Sequence, residues 1–313
     1  MEPSTILVVR LSAMGDILHT LPAVATIRAS FPNANIRWAV RPRWAVLLRD
    51  NPHIDGVLAT EWPRLGLGRC DLAIDFQGLI KSAAVAKLAL AARVAGFDDP
   101  REQPARLFYT MRVATTARHV VDQNLDLAAA VGGSLRRLEF PVPSCPPEGV
   151  LPEGEFVLAS PFAGWKAKEW PAPYYTRLAD LVRERYGWPL VLNCGSDQRE
   201  EAGAIPGCLL NVSSVEGLIG ITRRARAVVG LDSGPMHLAA ALGKPGVALF
   251  GPTDPERNGP YSETFAVLRA PSAATTYRRD DTIAASMEAL EPEQVFYALH
   301  EQITRFSALE AHR

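Results

Sequence analysis

The sequence predicts an α/β protein made of two Rossmann-like, doubly wound domains that face each other across a cleft. Apolar runs rich in β-branched residues alternate with helical patterns in both halves, which is typical of buried parallel strands joined by helices. A stretch rich in proline and glycine, residues 141–155, interrupts that alternation and is the best candidate for a linker. We therefore predict a first domain at residues 1–145, a second domain at residues 155–290 and a C-terminal segment at residues 291–313.

The first half begins with a continuous apolar run at residues 6–9, which predicts a buried strand. A loop leads from it into a helical pattern that contains Pro22. Because proline is tolerated in the first turn of a helix, this helix either kinks at Pro22 or begins near Thr20. The other elements predicted for this half are strands at residues 36–40 and 71–75 and helices at residues 82–95 and 125–131.

The second half repeats the alternation after the linker, and its most informative stretch is residues 230–254. There a buried strand ends at a glycine turn, a short helix follows, and another strand begins. Such a turn presents free backbone N–H groups at the positive end of a helix dipole, which suits a phosphate or diphosphate. The other elements predicted for this half are strands at residues 156–160 and 189–194 and helices at residues 174–186, 215–224 and 292–306.

Composition and charge restrict the class of protein. The chain has 313 residues, of which 48% are hydrophobic and 21% are charged, and its net charge is -1. This balance is typical of a globular protein with substantial cores, and it provides no field that would attract nucleic acid. The N-terminus lacks the pattern of a signal peptide, and Lys87 and Arg93 interrupt the best candidate for a membrane span. We expect a cytoplasmic protein.

Several familiar site motifs are missing from the sequence. It contains neither GxGxxG nor GxxxxGK[ST], which argues against a dinucleotide fingerprint and against a P-loop. It has no DxD motif, no metal-ligand spacing among its histidines, acids and four cysteines, and no GxSxG elbow. We therefore expect no cofactor and a mechanism that is independent of metal ions.

The loop after the first predicted strand carries the candidate catalytic residues of the first half. Asp16 lies on a glycine-bearing turn at a helix start, where a carboxylate serves either as an N-cap or as a general base for an acceptor hydroxyl. A helix N-terminus favours the ionised carboxylate, so Asp16 is predicted to be a weak base that accepts its proton late. Arg10 ends the strand beside it, and Met14 and Gly15 of the same turn are candidates for donor contact.

A second basic segment, with Arg41 and Arg43, follows the next predicted strand. Arginine pairs well with phosphate or carboxylate, so these two residues are candidates for binding an anionic acceptor. A solvated basic loop explains them as well, and both interpretations stay open.

Lys168 is the principal candidate of the second half, because it lies in the loop that leaves the first strand after the linker. An ammonium there would neutralise the oxygens of a leaving diphosphate, whereas the alternative is a solvated loop lysine. His237 falls in the first turn of the helix after the glycine turn, and Thr253 follows the next strand. The remaining candidates for donor contact are Glu200, Asp232, Ser233, Gly234 and Pro235.

Taken in their order and spacing, four segments resemble the glycosyltransferase family that contains the ADP-heptose:lipopolysaccharide heptosyltransferases. The segments are ILVVRLSAMGDILHTLPA at the start, KEWP in the middle, GLDSGPMHLAAALGKPGVALFGPTDP later, and SMEALEPEQVFYAL near the end. Each motif alone is modest, but together they span nearly the whole chain.

The resemblance implies a GT-B fold with an N-terminal acceptor domain and a C-terminal donor domain. It also implies that residues 291–313 return to pack on the N-terminal domain. It implies inverting, metal-independent transfer of heptose from ADP-heptose to an anionic glycolipid acceptor of the Kdo–lipid A type. Asp16 becomes the general base, Arg10 a cation that faces the acceptor or the transition state, and Lys168 the diphosphate cation. Peripheral contact with the inner face of the inner membrane is expected from the acceptor, and no oligomeric state is predicted.

One departure from the family keeps alternatives open. Ala163 and Gly164 stand where typical heptosyltransferases carry a hydroxyl pair, although Gly164 can still offer a backbone N–H to phosphate. A first alternative is a family member that uses another nucleotide-sugar donor or another glycan acceptor. A second is a sugar-nucleotide epimerase of the same shape, against which the Asp16 motif argues. A third, from another class, is a non-catalytic protein that binds sugar nucleotides.

Overall fold

The computed structural model of the chain describes residues 2–60 and 68–311. They fall into two compact units, Met1–Pro143 and Ser144–Arg313. The division lies inside the stretch predicted as a linker. Each unit is an α/β unit with a parallel sheet, so the predicted fold class of two Rossmann-like units is confirmed.

The first unit is built on a sheet whose described strands are Thr5–Val9 (β1), Asn35–Val40 (β2), Gly56–Ala59 (β3), Leu72–Asp75 (β4), Arg93–Phe97 (β5) and Met111–Val113 (β6). All are parallel and lie in the order β3-β2-β1-β4-β5-β6. The strand order reverses between β1 and β4. In open parallel sheets, ligands bind outside the carboxyl ends of the strands at this point of reversal.

The described helices of the first unit are Met14–Leu18 (α1), Leu21–Ser30 (α2), Ile80–Leu88 (α3) and Val120–Ala130 (α4). Pro22 lies in the first turn of α2, where its missing N–H leaves no helical hydrogen bond unmade. Of the two interpretations of Pro22, the helix start near Thr20 is therefore confirmed.

The predicted helix at residues 82–95 is wrong in its second half. Helix α3 ends at Leu88, Leu90 adopts a left-handed conformation with φ 49°, and strand β5 begins at Arg93. The alanine content of this segment favours a helix. Pairing of β5 with β4 and burial of Val94 in the core outweigh that preference.

The second unit repeats the architecture of the first. Its described strands are Val157–Ala159 (β7), Leu190–Cys194 (β8), Leu209–Val212 (β9), Ala227–Leu231 (β10), Gly246–Phe250 (β11) and Phe265–Arg269 (β12). They are parallel in the order β12-β11-β10-β7-β8-β9. This is the strand order of the first unit, and here the reversal falls between β7 and β10.

The described helices of the second unit are Ala172–Tyr186 (α5), Arg199–Gly203 (α6), Val215–Arg224 (α7), Gly234–Ala241 (α8), Pro255–Asn258 (α9), Ala285–Glu288 (α10) and Pro292–Ala311 (α11). Helix α8 approaches strand β10 closely, because a Cβ at Gly230 would lie 2.5 Å from the Cβ of Met236. A residue larger than glycine at this position would push the start of α8 away from the sheet.

Part of the predicted linker is packed against the second unit. Glu148 accepts hydrogen bonds from the backbone N–H and the hydroxyl of Ser214, the N-cap of α7. Pro147 lies against the same helix, where a Cβ at Gly220 would come within 2.4 Å of its nitrogen. The proline content predicted the missing periodicity correctly, but not this contact.

Helix α11 contributes to the core of the second unit. Its apolar face, including Val295, Leu299 and Ile303, is buried among residues of α5 and of the sheet. The apolar face of this helix is thus buried within the second unit. A contact of residues 291–313 with the first domain stays a prediction.

Candidate active site

Two groups of side chains lie at the carboxyl ends of strands, one group in each unit. In the first unit, Arg10 and Asp16 follow β1, and Asp75 ends the neighbouring strand β4. They therefore lie at the point where the strand order reverses, which is the expected place for a ligand.

Asp16 is held by two guanidinium groups through one of its oxygens. Its Oδ1 lies 2.8 Å from Nη2 of Arg10 and 3.0 Å from Nη2 of Arg101. Its Oδ2 makes only a 3.5 Å contact with the backbone N–H of Ala13. The carboxylate is therefore fixed by Oδ1, while Oδ2 can accept a hydrogen bond from a ligand.

The charges around Asp16 control its protonation. Burial alone would raise the pKa of this carboxyl, but the guanidinium groups of Arg10 and Arg101 outweigh burial and hold its pKa well below its usual range. Asp16 is therefore ionised at neutral pH, as predicted from its place at a helix start. In the structure the two arginines are the cause of the lowered pKa.

Arg10 is itself buried, with 2% of its surface exposed, and its position is fixed from several sides. Its Nη1 donates to the carbonyl oxygen of Phe76, and its own carbonyl accepts from the indole N–H of Trp38 at 3.2 Å. Because the Arg10 side chain is already fixed beside Asp16, it loses little conformational entropy when a ligand binds.

The end of β4 supports the loop that carries Asp16. The buried carboxylate of Asp75 accepts from the hydroxyls of Tyr109 and Ser82 and from the backbone N–H of Gln77, at 2.7, 2.9 and 2.9 Å. Gln77 in turn accepts from the backbone N–H of Leu11 at 2.7 Å. This network was not predicted from the sequence, although Asp75 ends a predicted strand at the correct edge of the sheet.

The other candidates of the first unit differ in exposure. Arg41 is the N-cap of the 3-10 helix Pro42–Leu48, Arg43 lies in its first turn, and both are exposed. The backbone N–H of Arg41 donates to the carbonyl of Leu11 at 3.0 Å, which places Arg41 next to the loop of Asp16. Met14 and Gly15 are buried, and their contact with a donor stays a prediction.

In the second unit, Lys168 and Asp232 form the centre of the corresponding group. Lys168 follows β7 and Asp232 follows β10, so they too flank the reversal of strand order. The ammonium of Lys168 donates to the carbonyl oxygen of Asp232 at 2.5 Å and lies 3.1 Å from its Oδ2. Both side chains are nearly inaccessible, which makes the pair rigid.

The surroundings of Asp232 keep it ionised. Burial alone would raise its pKa, but the adjacent His237 and the charge of Lys168 lower it well below the usual range. His237 lies 3.7 Å away, measured from Nε2 to Oδ1. Three sequence candidates are thereby accounted for in one cluster at the carboxyl edge.

The turn after Asp232 has the predicted form. Ser233 is the N-cap of α8 and makes no capping hydrogen bond through its side chain, and Pro235 lies in the first turn. The Ser233 hydroxyl is buried without a hydrogen-bond partner among the described residues. Together with the backbone N–H groups of Gly234 and Met236 in the first turn of α8, it is a donor available to an anionic ligand.

Two candidates lie at the rim of this group. Gly164 is exposed, and a Cβ added there would meet no atom within 4 Å, so the loop has room for a ligand or for a larger side chain. Glu200 is exposed in the first turn of α6, after β8. The roles assigned to both residues stay predictions.

Arg101 is the site residue of the first unit that the sequence analysis missed. It binds Asp16 from 85 residues further along the chain and lies in an exposed loop without a motif. Sequence spacing carries no signal for such a contact. Among residues 2–60 and 68–311, no group of three or more His, Cys, Asp or Glu side chains is arranged to hold a metal ion.

Comparisons with known proteins agree with this architecture. The profile of glycosyltransferase family 9 (heptosyltransferase) matches residues 62–286. Lipopolysaccharide heptosyltransferase 1 of Pseudomonas aeruginosa is 31% identical over 297 residues, which cover 83% of this chain and 82% of that protein. Lipopolysaccharide heptosyltransferase 1 of Escherichia coli K12 is 28% identical, with 85% of this chain and 93% of the relative covered.

Solved structures show the same fold. The ADP-heptose lipopolysaccharide heptosyltransferase II of Escherichia coli superposes with a TM-score of 0.81 at 22% identity, covering 97% of this chain and 99% of that one. An Escherichia coli heptosyltransferase solved with ADP gives a TM-score of 0.77 at 24% identity and covers 95% of this chain and 99% of that one.

The protein is a glycosyltransferase of the GT-B class. This follows from its relatives and from its two Rossmann-like units, each of which has charged and hydrogen-bonding groups where the strand order reverses. The chain belongs to glycosyltransferase family 9, the heptosyltransferase family.

Proposed function

We propose that this enzyme transfers heptose from ADP-heptose to a lipopolysaccharide inner-core acceptor of the Kdo–lipid A type. The observation that carries the proposal is the 31% identity, over most of both chains, with a protein named lipopolysaccharide heptosyltransferase 1. Relatives named heptosyltransferase 2 and 3 are less similar, at 28% and 24% identity. The acceptor is therefore assigned from the relative with 31% identity, because the Escherichia coli heptosyltransferases 1 and 2 match this chain equally well, at 28%.

The side chains support an inverting displacement. Oδ2 of Asp16 removes the proton from an acceptor hydroxyl, the hydroxyl oxygen attacks the anomeric carbon of heptose, and the bond from that carbon to the diphosphate breaks. ADP leaves with the bonding electron pair, and Lys168 with the N-terminal turn of α8 stabilises its charge. Because one displacement occurs, the anomeric configuration inverts. The cations are protein side chains, so we propose that no metal ion or cofactor is required.

The first test is thermal stabilisation of the purified protein by ADP, UDP, GDP, dTDP and CDP. A ligand at 100 times its dissociation constant adds about 2.7 kcal/mol when it binds only the folded state, which corresponds to a shift of several degrees. We expect ADP to give the largest shift, and EDTA to leave that shift unchanged. A selective response to another nucleotide would leave the family assignment unchanged but would exclude ADP-heptose as the donor.

Turnover separates an enzyme from a binding protein. With ADP-heptose and a Kdo–lipid A acceptor, we expect ADP to be released only when both substrates are present. Binding of donor and acceptor without release of ADP would instead favour the non-catalytic alternative. Conversion of the donor without acceptor would favour the epimerase.

We also propose that the protein works at the inner face of the inner membrane, with peripheral contact. No described helix is long and apolar enough to cross a membrane. Helix α3, however, exposes Lys81, Lys87 and Leu88 and contains no acidic residue. Basic side chains interspersed with apolar ones suit the surface of an anionic bilayer.

Reversal of both charges on this helix tests the contact. Lys81→Glu together with Lys87→Glu should reduce co-sedimentation with vesicles that contain anionic lipid, because each basic residue near such a surface contributes about 1 kcal/mol. The matched control is Arg183→Glu together with Arg185→Glu on α5. Equal binding by both double variants would place the contact elsewhere.

A further inference from the structure

Trp165 lies next to two cations at the edge of the cluster of Lys168, Asp232, Ser233, His237 and Thr253, called the donor-site group below. The ammonium of Lys168 is 4.3 Å from the centroid of its ring, and the guanidinium carbon of Arg279 is 5.4 Å from the same centroid. The two cations are therefore less than about 10 Å apart. Arg279 comes from the segment between β12 and α10, which the sequence analysis did not associate with any site.

That segment is hydrogen-bonded to two loops of the donor-site group, the loop that contains Lys168 and the loop that contains Thr253. The backbone N–H of Thr276 donates to the carbonyl of Pro252, beside Thr253, at 2.7 Å. The backbone N–H of Ala284 donates to the carbonyl of Ala167, beside Lys168, at 3.3 Å. Arg279 thus lies between two backbone hydrogen bonds, each made next to a residue that is a candidate for binding the nucleotide-sugar donor.

Arg279 is a cation of this region that has no acid partner among the described residues. The charge of Lys168 is balanced by Asp232 at 3.1 Å, and Lys166 pairs with two glutamates. Arg278 pairs with Asp280 at 3.1 Å. Among the described residues, Arg279 has no carboxylate partner. A nucleoside diphosphate carries more negative charge than the balanced Lys168–Asp232 pair can neutralise, so a further cation is needed.

We infer that Arg279 binds the diphosphate of the donor nucleotide and that Trp165 positions its guanidinium. The inference rests on the proposed function, since it assumes a nucleotide-sugar donor at this group. A further donor points to the same ligand, because the hydroxyl of Ser233 is buried without a hydrogen-bond partner among the described residues. Phosphate oxygens are acceptors that could satisfy all of these groups.

Arg279→Gln tests the contact, with Arg278→Gln as the matched control. The control removes a neighbouring exposed arginine that already has an acid partner. Dissociation constants for ADP and for inorganic pyrophosphate are measured by calorimetry. We expect Arg279→Gln to weaken both about tenfold, since a hydrogen bond to a charged group is lost, and the control to stay within twofold of the unmodified protein.

The two probes separate this inference from the proposed donor. If the unmodified protein binds pyrophosphate but not ADP, the assignment of ADP-heptose as donor is contradicted. The contact of Arg279 is then tested by the affinity of Arg279→Gln for pyrophosphate. Affinities of Arg279→Gln within twofold of the unmodified protein would overturn the inference. Failure of the unmodified protein to bind either probe would overturn the inference and the proposed donor together.

The role of Trp165 as a positioning residue has its own test. Trp165→Phe keeps an aromatic face and should retain ADP affinity within about threefold, whereas Trp165→Leu should lose nearly as much as Arg279→Gln. Because both act on one contact, the double variant Trp165→Leu/Arg279→Gln should be little weaker than either single variant. Fully additive losses would show that Trp165 acts independently of Arg279.

Discussion

Replacement of Asp16 by asparagine is expected to lower kcat by roughly 10²–10⁴-fold, the range typical of general acid–base residues, with little change in ADP affinity. Asparagine keeps the shape of the side chain and can still accept from Arg10 and Arg101 through its amide oxygen. It cannot take the proton of the acceptor hydroxyl. The measurement compares kcat from ADP release with the dissociation constant of ADP from calorimetry.

Asparagine is preferred to alanine because of the buried arginine next to it. Arg10 is 2% exposed, and either variant removes the charge of its nearest carboxylate, but alanine also removes the acceptor oxygen that asparagine keeps for Arg10 and Arg101. Removal of one partner of a buried ion pair costs about 3–5 kcal/mol, so loss of activity in the alanine variant could come from misfolding. The melting temperature of Asp16→Asn should fall less than that of Asp16→Ala, and activity is compared at a temperature where both variants are folded.

Two results would contradict the role of Asp16 as the base. One is a kcat within a factor of a few of the unmodified enzyme. The other concerns pH: because Arg10 and Arg101 hold the pKa of Asp16 below its usual range, the carboxylate stays ionised as pH falls. The acid limb of the pH–rate profile should therefore lie at a pH below the ordinary range of carboxylate pKa values. An acid limb of the unmodified enzyme above that range, if it is absent from Asp16→Asn, would contradict this assignment.

The sequence predicted the parts of the site that follow strands. Asp16, Lys168 and Asp232 each lie just beyond an apolar run, and parallel strands bring their carboxyl ends to one edge of a sheet. Within each unit, alternation of strands and helices was sufficient to place these residues. Their chemical roles stay predictions, because position at an edge does not specify the reaction.

Contacts between distant loops could not be predicted in the same way. Arg101 reaches Asp16, and Arg279 reaches Trp165, from loops that have neither periodicity nor a motif. Their positions depend on the tertiary fold. The error at β5 has a related cause, since the alanines of residues 82–95 favour a helix locally, whereas pairing with β4 decides the structure.

Replacement of Lys168 by methionine is expected to weaken ADP binding by roughly tenfold to a hundredfold, as for a lost hydrogen bond to a charged group. Methionine keeps the length of the side chain but removes the ammonium, and it leaves the buried carboxylate of Asp232 without its cation. An uncompensated carboxylate would also repel the diphosphate. Calorimetry with ADP measures the total effect.

The double variant Lys168→Met/Asp232→Asn separates these two contributions, because it removes the repelling carboxylate together with the ammonium. Partial recovery of ADP affinity relative to Lys168→Met would measure the repulsion, and the remaining loss would measure the contact of Lys168 with phosphate. Lys166→Met is the matched control, since Lys166 lies in the same loop and pairs with Glu169 and Glu201 instead. If Lys166→Met and Lys168→Met weaken ADP equally, the loop contributes only its overall charge, and Lys168 has no specific role at the diphosphate.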